Sequence, residues 1–150
     1  MILLLVVFVM QTNNLKMNIQ SLIRASHGMA ASNGFWDEER NVSEMLMLIV
    51  SEVAEAQEAL RKNNYAHKDL ASDLAHDLQL DGQDEEFTYS KDDWKQHFEK
   101  HVKSSFEDEL ADVAIRLFDL CGGLKIDLNK HIMLKMHYNS MRPYKHGKAF

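Results

Sequence analysis

The chain has 150 residues, 45% apolar and 27% charged, which suits one globular domain with a hydrophobic core. Its formal net charge of −6 argues against a nucleic-acid polymer as partner, which needs a basic surface, but allows a single nucleotide held through cations. One proline and six glycines are too few for the turns of a sheet-rich fold, so long helices are expected. The lone Cys121 cannot form an internal disulfide and fits a reducing cytoplasm.

The chain opens with MILLLVVFVM, ten apolar residues that are too few to span a bilayer. A secretory signal needs a basic start and a small-residue cleavage site, and neither is evident, so no membrane partner is expected. A more ordinary segment begins at Met17. Residues 1–16 are therefore an apolar extension, either an over-long start or a disordered or packed arm, and 17–150 form the domain.

The first helix is expected from about Ile19 to Ala31, stopping near Ser32-Asn33-Gly34. The second follows Asn41 or Ser43, either of which can cap it, and runs through MLMLIVSEVAEAQEALRK to Asn63-Asn64. Residues 63–90 are a polar connection with a turn at Asp81-Gly82 and room for a short helix over Lys68–Leu80. From Trp94 through Phe98, Val102, Phe106, Leu110, Val113, Leu117 and Leu120 the apolar spacing predicts one long helix, from after Ser90 to Gly122-Gly123. A last helix is capped by Asp127 and ends before Arg142-Pro143; beyond it lies a basic tail with Lys145 and Lys148.

Four acids stand out. At roughly 100° per residue, Met45, Leu48, Ile49, Val53, Ala56 and Leu60 make the apolar face of the second helix. Glu52 falls within that face and Glu55 at its edge, while the only cations of that helix, Arg61 and Lys62, sit at its end. A buried carboxylate costs several kcal/mol, in rough terms, unless it is paired or metal-bound. On the later helix Glu109 and Asp112 flank the stripe Phe106, Leu110, Val113 and Leu117; by periodicity alone they fit a solvated face, and Arg116 is spaced to pair with Asp112. Two acid pairs on neighbouring helices offer oxygen ligands only, which favours Mg²⁺ or Mn²⁺ over Zn²⁺. A di-iron carboxylate bundle would want Glu-x-x-His, and here the pairs end in Glu55 and Asp112. His97 and His101 are spaced i, i+4 like metal ligands, but no third ligand is evident and a solvated face is the expectation.

Glu52-x-x-Glu55 within SEVAEAQEAL and Glu109-x-x-Asp112 within FEDELADVAIRL, with the tail KMHYNSMRPYKHGKAF, resemble the all-α nucleoside triphosphate pyrophosphohydrolases of the MazG-like superfamily. The resemblance covers about 34–62 and 106–150. The pairs lie further apart than is usual in that family, which marks about 63–105 as an insertion. The resemblance implies an antiparallel helical bundle with a four-helix core, completed by oligomerisation into a homodimer or homotetramer. It implies Mg²⁺-dependent cleavage of a (d)NTP to (d)NMP and pyrophosphate, with housecleaning of the nucleotide pool as a role. Glu52, Glu55, Glu109 and Asp112 would be the metal ligands, and Glu52 or Glu55, with Glu55 the first choice, would orient or deprotonate the attacking water. Lys135 and Asn139 would contact phosphate or base, and Arg142 phosphate. Trp36, with Phe35 beside it, matches an aromatic position that stacks on the base in some relatives, and His27 does so more weakly. The competing expectation is a non-enzymatic helical interaction module whose acids are surface features.

Overall fold

The computed structural model describes residues 18–80 and 89–143; the apolar start, the Asp81-Gly82 turn and the tail lysines Lys145 and Lys148 lie outside them. The described residues form six helices: α1 Ile19–Ser32, α2 Val42–Arg61, α3 Lys68–Leu80, α4 Lys91–His101, α5 Phe106–Gly123 and α6 Leu128–Ser140. The protein is all-α over these residues, and none of these helices is long and apolar enough to cross a membrane.

Local chemistry accounts for most boundaries. Asn18 and Ser21 satisfy each other's backbone N–H groups at 2.9 Å, so α1 starts on a reciprocal cap. Of the two candidate caps of α2, Asn41 is the one used: its side chain accepts from the N–H of Ser43 and of Glu44. That helix ends at Lys62, and Asn63 turns the chain with φ of 53°. Asp127 caps α6 through the N–H of Lys130 at 3.0 Å.

The expected long helix from Ser90 to Gly123 is two helices. The chain breaks after His101, Ser104 adopts φ of 59°, and α5 starts on a new cap at Ser105. The Ser105 hydroxyl accepts from the N–H of Asp108, and the Asp108 carboxylate accepts from the N–H of Ser104 at 2.8 Å. The loop after α2 ties down the break: Asn64 donates its amide to the Ser104 carbonyl at 2.7 Å, the N–H of Phe106 donates to the Asn64 carbonyl, and the N–H of His67 donates to the His101 carbonyl. Backbone groups that a continuous helix would pair internally are thus paired across the loop. The apolar spacing runs through the break, so periodicity could not reveal it.

The middle of the fold is α5, which packs against both α1 and α2, while α6 lies against α1. Ile23 of α1, Met45, Ala56 and Ala59 of α2, and Leu120 and Cys121 of α5 are buried. The buried arc of α2 runs Met45, Glu52, Ala56, Ala59; Leu48, Val53 and Leu60, expected on that face, are exposed. The small side chains Ala56 and Ala59 leave the arc flat and let α5 approach closely. The helices α3 and α4 pair with each other: Trp94 donates its indole N–H to the Leu74 carbonyl at 3.1 Å, and the N–H of Tyr89 donates to buried Asp77 at 2.9 Å.

Gly122 and Gly123 close α5, but their smallness serves packing. A Cβ on Gly122 would overlap the His27 ring and one on Gly123 the Trp36 ring. His27 and Trp36 meet edge to face at 4.9 Å and converge on one oxygen of Asp119, at 3.0 Å from His27 Nδ1 and 2.8 Å from the donating Trp36 N–H. This cluster pins α1 and the segment after it to the end of α5.

Candidate acidic metal centre

Glu52 sits in the middle of the buried arc of α2, and Glu109 is in the first turn of α5, where the helix dipole favours a negative charge. Each is only 6% exposed. Asp112 lies one turn beyond Glu109 and is partly exposed. Each of Glu52, Glu109 and Asp112 offers one oxygen, and the three oxygens lie within 4.8 Å of one another; among the described residues no other group of three acids, histidines or cysteines is gathered so closely. Octahedral Mg²⁺, with Mg–O of about 2.1 Å, holds its ligands about 3–4 Å apart, so a slight closing would suit it. The donor set, carboxylate oxygens alone, is that of a hard cation.

The centre holds more negative charge than it neutralises. Burial first, then the charges of Glu55, Glu52, Asp112 and Asp108, push the Glu109 carboxyl above its ordinary range. Asp112 is pushed up by burial, then by Asp108 and Glu52, against the lowering effect of Arg116. Arg116 is the local cation. Its spacing allows a pair with Asp112 on its own helix, but its Nε lies 2.6 Å from Glu52 Oε1 on α2. Buried Glu52 therefore has a cation, supplied by a neighbouring helix and invisible on its own. The cations of α2 are engaged elsewhere, Arg61 and Lys62 both with Glu58 at 2.7 and 3.1 Å.

Glu55 stands outside the group of three. It is exposed, accepts the Ser51 hydroxyl at 3.4 Å, and reaches the centre through its charge, which is felt at Glu109 and Asp112. One turn from Glu52 it has rotated off the buried arc toward solvent. Glu109, which periodicity placed on a solvated face, is buried, because α5 packs closely against both α1 and α2.

The other expected site residues are dispersed. Trp36 is half-buried with its N–H committed to Asp119, whereas Phe35 is exposed and stacks under Arg40 at 5.9 Å. Lys135, Asn139 and Arg142 are exposed on and after α6; Lys135 Nζ lies 5.0 Å over the Tyr138 ring, and the N–H of Arg142 donates to the Asn139 carbonyl. Among the described residues none of the three pairs with the acids. An open cleft of about 490 Å³ lies between α3, α4 and α5, lined by Lys68, Ala71, Phe98, Val102, Asp108 and Ala111 among others; Glu52, Glu109 and Asp112 do not line it. Comparison with family models, with curated proteins and with solved structures found no match.

Proposed function

We propose that the protein is a Mg²⁺-dependent nucleoside triphosphate pyrophosphohydrolase of MazG-like type, cutting a (d)NTP to (d)NMP and pyrophosphate, with Mn²⁺ able to substitute. The observation that carries this reading is the convergence of Glu52, Glu109 and Asp112 from two helices, with burial first and neighbouring acids second raising the carboxyls of Glu109 and Asp112. A divalent ion held there supplies neutralisation of the triphosphate and a lowered pKa for an attacking water. In this reading Glu109 and Asp112 hold the ion from α5 and Glu52 from α2. Arg116 fixes the Glu52 carboxylate, which makes Glu52 a ligand rather than a base. Glu55, exposed and at the rim, orients the water. Lys135, Asn139 and Arg142 take phosphate or base, with Arg able to grip phosphate bidentately. Trp36 and exposed Phe35 are the aromatic residues for the base.

The reading includes a homodimer or larger assembly. Leu46, Met47, Val50 and Val53 of α2 and Met133, Leu134, Met136 and Tyr138 of α6 are all exposed. Exposed apolar side chains gathered along one helix are costly in water, and a partner that covers them removes that cost. A nucleotide-pool housecleaning role in the cytoplasm follows from the family resemblance alone.

The test is pyrophosphate release from a panel of NTPs and dNTPs with Mg²⁺, repeated with Glu109→Gln. Release that disappears in the variant supports the reading. The Arg116–Glu52 pair favours one alternative, a non-enzymatic helical module in which the acids form an internal ion network. Folded wild-type protein that releases no pyrophosphate from any nucleotide would sink the hydrolase reading and favour that alternative.

A further inference from the structure

The insertion carries a second group of metal-ligand side chains, unrelated to the acids. His97 and His101 lie one turn apart on α4, and His67 immediately precedes α3. The tertiary structure brings the third histidine to the pair. The ring centroids of His67 and His101 are 6.1 Å apart and those of His97 and His101 are 5.9 Å apart. The backbone N–H of His67 donates to the His101 carbonyl at 3.0 Å, so the two chain segments are held in that relation independently of the rings.

A separate observation points to a missing ligand. The Nδ1 of His97 is buried and has no hydrogen-bond partner, and it is the one such side-chain nitrogen or oxygen among the described residues. Leaving a buried polar atom unpaired costs roughly 1–3 kcal/mol, so native proteins seldom retain one without a use.

We propose that His67, His97 and His101 form a binding site for a borderline transition cation of the Zn²⁺ class, clasping the two helices of the insertion. With Zn–N of about 2.0–2.1 Å, three tetrahedral imidazoles place their ring centroids about 5 Å apart. The two spacings to His101 exceed that by about 1 Å, a gap that rotation about the side-chain torsions would have to close. Nitrogen donors separate this site from the acids, which take a hard cation through oxygen. Three protein ligands would leave one position of a tetrahedral ion for water, and His67 is exposed to solvent. The site spans the junction where α4 ends and the loop after α2 crosses it, so its occupancy would stiffen the wall of the cleft lined by Phe98 and Val102.

The test is equilibrium dialysis of the full chain against Zn²⁺ alone, with excess Mg²⁺ present, and visible absorption of the Co²⁺-loaded protein. The variants are Glu109→Gln, to disable the acidic centre, and His67→Gln, chosen because His67 is exposed and its loss spares the fold, as far-UV circular dichroism would verify. The expected result is one Zn²⁺ per chain retained in Glu109→Gln, a tetrahedral Co²⁺ spectrum, and affinity weakened about tenfold or more in His67→Gln. Zn²⁺ binding that vanishes in Glu109→Gln, that is unchanged in His67→Gln, or that is missing from the wild type overturns the proposal. None of these outcomes depends on nucleotide hydrolysis.

Discussion

The guanidinium of Arg116 on α5 lies 2.6 Å from the carboxylate of Glu52 on α2, and this ion pair joins the two helices that carry the acidic centre. Glu52 is buried, so its charge must be met; Arg116 is 42% exposed, so its own charge is partly met by water. Removing the cation strands the acid. Arg116→Met should cost about 1–2 kcal/mol, less than the loss of a fully buried pair because water screens the arginine. Mg²⁺ should recover part of that loss if the acids hold it. Thermal unfolding of wild type and variant, in chelator and in Mg²⁺, checks both points. An Arg116→Met deficit that Mg²⁺ leaves untouched would count against a cation site.

The raised carboxyls of Glu109 and Asp112 set a direction for pH. A carboxyl whose folded pKa is raised contributes stability below its unfolded value, ordinarily 4.5 for Glu109 and 3.8 for Asp112. That contribution is lost as pH rises through the folded values, which lie higher. The metal-free protein should therefore lose stability across this window as both acids ionise together. A divalent cation competes with those protons, so stabilisation by Mg²⁺ should be larger at about pH 8 than at about pH 5. Glu109→Gln should flatten both effects. Calorimetric unfolding at the two pH values, with and without Mg²⁺, decides it, and an equal Mg²⁺ shift at both would refute it.

Gly123 tests the close approach at the end of α5. In a helix Gly→Ala ordinarily gains up to about 1 kcal/mol. Here the added methyl would overlap the Trp36 ring. Gly123→Ala should instead destabilise by about 1–3 kcal/mol, and the double variant with Trp36→Ala should lose less than the two single losses combined. Urea unfolding of the three variants measures this. If Gly123→Ala is neutral or stabilising, Trp36 is not packed as described.

The exposed apolar arc of α2 predicts the state of association. Met47 is 62% exposed and Val50 54%. Val50→Lys on that arc should lower the mass seen by light scattering toward that of a single chain, with helicity retained. A wild type that already scatters as a monomer removes the assembly from the proposal.

Local rules made the helices legible. The Asn41, Asp127 and Ser90 caps and the helix over Lys68–Leu80 depend on hydrogen bonds within a turn, and such contacts are written in adjacent residues. The break before Ser105 was also local, a Ser-x-x-Asp cap at Ser105–Asp108, but an unbroken apolar spacing masked it. Long-range stitching by Asn64 and His67 is what stabilises the break.

Glu52 was legible as an anomaly, because a charge on an apolar face is visible on a helical wheel. Its answer was not, since Arg116 is 64 positions later in the chain and reaches it only when α2 and α5 pack. The same packing buries Glu109, gathers it with Asp112 and Glu52, and leaves Glu55 at the rim. By itself the sequence determined that the chain is helical, where most helices start, and that one acid needed a partner, because those follow from contacts within a few residues. Only the tertiary structure decided which charges meet, which stay exposed, and that His67 joins His97 and His101, because distance between helices is set by packing and not by sequence spacing.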